Sequence, residues 1–179
     1  PCNIVVTDYA SPGVYVTQKN VSKRSAEVTV KVKLDNGSLT PVQSELENTI
    51  YDGQGRQVKT HRQSFLLTPQ GTQAYSSTFK LNNPHLWQGR EDPYLYKVVS
   101  RLWQDGKVID EMVQPLGLRN YEIVAGKGFF LNGKKTMFKG VCNHHDLGPL
   151  GGIANDAGIR RQIRILKDMG CNAIRTSHN

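Results

Sequence analysis

Two histidines stand in matching surroundings toward the C-terminal end of the chain. His144 follows the short strand read at Phe138–Val141 and has Asn143, His145 and Asp146 around it; His178 follows Cys171–Thr176 and has Arg175 and Asn179 on either side. Imidazole, guanidinium, carboxamide and carboxylate groups together offer donors and acceptors in quantity. Such a set suits a polar rim that grips hydroxyl groups. A zinc site is the second chemistry these residue types allow, through His144, His145, Asp146 and His178. Against zinc, consecutive residues rarely turn both side chains to one ion. The plainest alternative is that each histidine is a structural hydrogen-bonder at a strand end. Two at equivalent places, with Arg175 and Asp146 close by, weigh against that.

The elements that must position these groups are legible around them. Asn155-Asp156 provides a cap and an acidic first turn. Ile159, Ile163, Leu166 and Met169 then fall near one helical stripe, and Gly170 is placed as the stop. With the stretch ending at Val141 before it and Cys171–Thr176 after it, this is a β-loop-α-β unit, whose strands pair in parallel. Parallel pairing sends both histidines to the carboxyl ends of adjacent strands, about 4.8 Å apart, where barrel enzymes keep their chemistry. One such unit cannot cover its own sheet, so the segment reads as the opening of a larger α/β domain.

Before Arg119 the pattern has period two. In Ala26–Leu34 the even positions are apolar and the odd ones polar, which puts one strand face on a core and the other in water. Further strands read at Gly13–Lys19, Val42–Asp52, Arg56–Leu67, Thr72–Leu81, Tyr94–Trp103 and Val108–Leu116, separated by Gly, Asn, Asp and Pro turns. Seven short strands with no helical pattern between them predict an immunoglobulin-like β-sandwich of the disulfide-free kind. Trp87, Tyr94, Tyr96 and Trp103 are read as anchors of its core in preference to an exposed sugar-stacking platform. His61 and His85 read as surface residues. After Arg119, Gly128–Phe138 forms a hairpin around Asn132-Gly133. The fold class is therefore mainly β: a sandwich over residues 1–120, then a truncated β/α segment over 121–179.

Composition excludes several classes. The 179 residues are 37% hydrophobic and 21% charged, with a net charge of +8, an ordinary globular balance. The basic residues are dispersed over outward strand positions, unlike the basic stripe of a nucleic-acid binder. No apolar run approaches the ~20 residues of a membrane-spanning helix, and the N-terminus has no signal-peptide pattern. Cys2, Cys142 and Cys171 are too few and too scattered for a disulfide framework. The chain does not begin with Met, and the expectation is a processed product or an excised piece. Every Glu lies in the sandwich or at its exit, so the β/α half shows no pair of carboxylates for acid–base work on a glycosidic bond.

Pro84-His85-Leu86-Trp87, Pro93-Tyr94-Leu95-Tyr96 and Gly117-Leu118-Arg119 resemble the end of the central sandwich of glycoside hydrolase family 2. Phe129–Lys134 and Lys139–Asp146 resemble that family's entry into its (β/α)8 barrel, and Asn172–Asn179 its second barrel strand. The look is nearest to bacterial β-galactosidases, with β-glucuronidases and β-mannosidases sharing much of the pattern. The resemblance implies an internal fragment of a retaining, exo-acting β-glycosidase. His144 and His178 would line the sugar pocket and bind substrate hydroxyls. Arg175 would hold the catalytic carboxylates, with Asn143 and Asn179 supporting the pocket. Asp146 matches a frequently acidic position and is grouped with the substrate-binding residues. The acid/base and nucleophile Glu would come from later strands, leaving no catalytic residue and no metal or cofactor in this chain; a divalent or monovalent metal remains open for the parent. Cys142 stands where many members carry Asn. The partners implied are a β-galactoside or related oligosaccharide, the remaining barrel and a preceding jelly-roll domain, with a homo-oligomer open. No nucleic acid and no membrane are implied. The parent is expected to be soluble, with a periplasmic or secreted location open. A non-catalytic sandwich module that binds carbohydrate or protein is the competing expectation.

Overall fold

The computed structural model describes residues 2–5, 13–144, 146–153 and 155–176. The chain divides into two compact units, Pro1–Asn120 and Tyr121–Asn179.

The first unit contains β1 (Cys2–Ile4), β2 (Val14–Lys19), β3 (Ser25–Asn36), β4 (Val42–Tyr51), β5 (Gln57–Leu67), β6 (Gly71–Asn82), β7 (Tyr96–Gln104) and β8 (Lys107–Leu116). All their pairings are antiparallel. One sheet is built on β3, with β6 along one edge and β2 and β1 end to end along the other. The second sheet runs β5-β4-β7-β8.

The alternation in β3 decides which face is buried. Val28, Val30, Val32 and Leu34 are fully buried, and they meet Leu46 and Ile50 of β4, Leu67 of β5, Phe79 and Leu81 of β6, and Val98 and Leu102 of β7 in one core. A register slip of one residue would turn this whole set outward. Pro115 is accommodated because β8 is an edge strand.

The core is not wholly apolar. Asn48, Ser77 and Ser100 are buried between the sheets. Ser100 Oγ donates to Asn48 Oδ1 (2.6 Å), Asn48 Nδ2 donates to Ser77 Oγ (3.1 Å), and Ser77 Oγ also bonds His61 Nδ1 (3.1 Å). On the outer face of the second sheet, Arg62 pairs with Glu45 and Glu47, and Arg101 pairs with Glu47 (3.3 Å) and Glu111 (2.6 Å). The Tyr51 hydroxyl, then Glu111 and Glu47, push the Arg101 guanidinium further above its already high pKa.

The aromatic residues are more divided than the sequence suggests. Tyr96 is buried, while Trp87, Tyr94 and Trp103 are only partly so. The seventh strand starts at Tyr96 because Tyr94 is drawn elsewhere: its hydroxyl accepts from the Gly53 N–H (2.9 Å) and its ring stacks on His85 (3.9 Å). His85 also bonds Asp92 (2.6 Å). Both His61 and His85 are exposed, as read, yet each has a defined partner.

The second unit opens with the three-stranded meander β9 (Tyr121–Val124), β10 (Gly128–Leu131) and β11 (Lys134–Lys135). Asn132 and Gly133 join β10 to β11 with φ of 49° and 79°, the pair of positive values that a tight two-residue hairpin turn needs. Next come β12 (Gly140–Asn143), a 3-10 turn at Gly148–Leu150, the helix α1 (Asp156–Asp168) and β13 (Ala173–Thr176). The expected cap is in place: Asn155 accepts from the Gly158 N–H (2.9 Å). Gly170 follows the last turn at φ 93°.

Candidate functional site

The β-loop-α-β unit pairs β12 with β13 in parallel, in the register Gly140↔Ala173, Val141↔Ile174, Cys142↔Arg175 and Asn143↔Thr176. The first strand lies two residues later than the sequence predicts. Asn172 is the reason. Its Oδ1 accepts from the Lys139 N–H (2.8 Å) and its Nδ2 donates to Met137 O (2.9 Å), while its own N–H bonds Lys139 O (2.8 Å). These bonds hold Met137–Lys139 outside the ladder and fix where it starts. Close pairing at the start then requires a glycine: a Cβ on Gly140 would lie 2.4 Å from the Ala173 carbonyl oxygen.

This register puts Arg175 beside Cys142, and Arg175 Nη1 donates to Cys142 Sγ at 3.8 Å. A groove of about 500 Å³ runs along the pair, lined by Phe138, Gly140, Val141, Cys142, Ala173, Ile174 and Arg175. At the carboxyl end, Asn143 Nδ2 donates to Gln162 Oε1 of α1 (3.2 Å), which ties the strand end to the helix. His144 follows directly and is exposed. Asp146 lies further along the same loop; its Oδ1 accepts from the Gly148 N–H (2.7 Å), so one carboxylate oxygen is engaged in shaping the turn.

Of the residues singled out in the sequence, Asn143, His144, Asp146 and Arg175 are thus on β12, β13 or the loop leaving β12. His145, His178 and Asn179 lie outside the described residues. Among the described residues no group of three His, Cys, Asp or Glu side chains is arranged to hold a metal ion.

Asn172, Gln162 and the Cys142–Arg175 contact were not anticipated. The last was within reach. Gly140 and Ala173 are the small residues opening two short strands, and pairing the strands from them brings Cys142 and Arg175 level. Asn172 and Gln162 carry no comparable signal, since each acts through atoms more than fifteen residues away in sequence.

An antiparallel sandwich followed by a parallel β/α unit fits a sandwich domain leading into the opening of a barrel domain. The chain belongs to glycosyl hydrolases family 2: that family's model matches residues 12–119, and the model of its TIM barrel domain matches residues 123–179. It is 36% identical over 167 residues to the β-galactosidase BoGH2A of Bacteroides ovatus, covering 93% of this chain and 20% of that protein. It is 40% identical over 172 residues to a β-glucuronidase of Bacteroides fragilis, covering 96% of this chain and 24% of that protein. A crystal structure from Bacteroides fragilis, of a protein whose assignment as a β-galactosidase is provisional, superposes with a TM-score of 0.96 at 61% identity, over 99% of this chain and 26% of that one. The chain therefore spans about a fifth to a quarter of the length of these proteins.

Proposed function

We propose that these residues form the central sandwich and the first barrel strands of a retaining β-glycosidase that removes terminal β-linked galactose. In this reading His144 and His178 donate hydrogen bonds to substrate hydroxyls, and Asp146 accepts one through the oxygen left outside its turn. Arg175 orients the carboxylates of the acid/base and nucleophile Glu, which belong to later barrel strands outside residues 1–179. A guanidinium suits that role because it stays charged, donates in a fork matched to carboxylates, and favours their ionised form. One Glu then protonates the leaving oxygen while the other forms the covalent glycosyl intermediate, which water resolves. Asn143 and Asn179 support the rim, and the rest of the barrel with a preceding jelly-roll domain completes the pocket.

The observation that carries this reading is the parallel register of β12 and β13. It puts Arg175 level with Cys142, one step before Asn143 and His144. The choice of galactose is supported by the similarity to proteins named β-galactosidase; the similarity to β-glucuronidases makes the uronide the competitor to test.

The test compares residues 1–179 alone with the longer product of the same gene, on 4-nitrophenyl β-galactoside, β-glucuronide and β-mannoside. Turnover of the galactoside by the long form only is expected. Turnover by the 179-residue chain would overturn the placement of the catalytic pair. A preference of the long form for the glucuronide would overturn the choice of sugar.

A further inference from the structure

We infer that the corner of the sandwich between the start of β4 and the β7–β8 turn is a binding pocket for a single neutral hexose unit. The cavity there is about 230 Å³ and is lined by Gln43, Ser44, Glu45, Trp103, Gln104 and Asp105, with Gly106 at the turn. This is smaller than the ~300–1,000 Å³ clefts that take drug-sized ligands. It is on the scale of one pyranose ring.

The lining has the composition that a sugar ring asks for. Trp103 contributes aromatic surface for the apolar C–H groups of the ring. Two carboxamides, a hydroxyl and two carboxylates supply both donors and acceptors for its hydroxyl groups. The aromatic surface is held before any ligand arrives. The Arg62 guanidinium lies 4.4 Å from the Trp103 ring centroid, and Arg62 is itself held by Glu45 and Glu47. Gln104 is fixed in the same way, its Nε2 donating to Ser44 Oγ (3.0 Å). Side chains ordered in advance reduce the entropy lost on binding.

The pocket also carries an unmet demand. Trp103 Nε1 is buried and has no hydrogen-bond partner, the one such side-chain atom among the described residues. A buried donor without an acceptor costs the protein its desolvation energy. The indole nitrogen is closed to solvent, so a ligand hydroxyl supplies the missing acceptor only once the surrounding side chains part.

Charge narrows the ligand class. No lining residue is basic; Lys107 follows Gly106 in the turn and pairs in register with Gln104, and Arg62 is matched by Glu45 and Glu47. Asp105 would repel a uronic acid or a sulfated sugar, Glu45 being already matched by Arg62, whereas an uncharged hexose is indifferent to these charges. The inference stands whether or not the glycosidase reading holds.

The test uses the ¹⁵N-labelled 179-residue chain. Its two tryptophans, Trp87 and Trp103, give two indole signals. Methyl β-D-galactopyranoside is expected to shift the Trp103 indole N–H saturably, with a dissociation constant on the order of millimolar. Methyl β-D-glucuronide should leave that signal in place. Trp103→Phe assigns the signal and should abolish binding. Gln43→Ala, at an exposed position that does not touch the core, should weaken binding several-fold while the fold stays intact, and it decides the matter if the tryptophan variant fails to fold. Absence of a saturable shift at about ten times that concentration, an equal response of Trp87, or equal binding of the uronide would each overturn the proposal.

Discussion

At the scale of single residues, the sandwich owes its specificity to polar groups that the core should exclude but instead satisfies. Asn48 is the clearest. It is fully buried and bonds Ser100 on its own sheet and Ser77 on the facing one. Asn48→Ala would take the Asn48 partner from the buried Ser100 hydroxyl, leave Ser77 its bond to His61, and open a void. The expected loss is about 2–4 kcal/mol, read as a lower urea midpoint with an unchanged m-value. Asp52 makes a second, pH-dependent case. Burial alone would raise its pKa, but hydrogen bonds from the Arg56 backbone and side chain and from the Gln54 N–H outweigh that and lower it below 3.8. A carboxyl with a depressed folded-state pKa adds stability that is fully present above its unfolded pKa and is lost as pH falls through the folded one. The gap in thermal midpoint between the wild type and Asp52→Asn should therefore be full at pH 5–7 and close on acidification below about 4. A gap unchanged at low pH would show that the Asp52–Arg56 turn does not depend on the carboxylate charge.

At the scale of elements, the β12–β13 pair is the decisive contact of the second unit. Gly140 has the backbone of Ala173 against it, with a Cβ position 2.4 Å from the carbonyl oxygen. Backbone on both sides cannot yield as a flexible side chain would. Gly140→Ala should part the strands and separate Cys142 from Arg175, at about 3 kcal/mol or more. The readout is faster amide exchange at Ala173–Thr176, with unchanged exchange in β3 and β4. If exchange at Ala173–Thr176 stayed slow, the strands would have to be held by something other than this close approach.

At the scale of the whole molecule, the two units differ in how much they bury. The sandwich has a continuous core of fully buried aliphatic residues. In the second unit no residue of α1 is buried, and Ile123, Met137, Phe138, Ile159, Ile163 and Ile174 are all exposed. Local opening free energy follows buried apolar contact. In the 179-residue chain, amides of residues 126–176 should therefore exchange faster than those of β3, β4, β6 and β7. Uniformly slow exchange would show that another surface, such as a second copy of the chain, covers these residues.

The chain's own order of residues was enough for much of this architecture. Period two in Ala26–Leu34 named the buried face of β3, because a strand can turn only alternate residues inward. Asn132-Gly133 named a hairpin, because few other pairs accept two positive φ values. Asn155 and Gly170 bounded α1, because the orphaned backbone groups at helix ends need such residues. All of these are local requirements. β12 starts two residues later than the sequence predicts because a distant side chain, Asn172, takes the Lys139 amide. Tyr94 fits the strand pattern, and nothing nearby in sequence announces that Gly53 and His85 will claim it. Neither the Trp103 pocket nor the contact between Arg175 and Cys142 exists until separate strands are set side by side. Strand pairing joins residues 33 positions apart for Arg175 and Cys142 and 58 for Trp103 and Glu45. Chain periodicity holds no record of such distances, so only the tertiary structure could decide them.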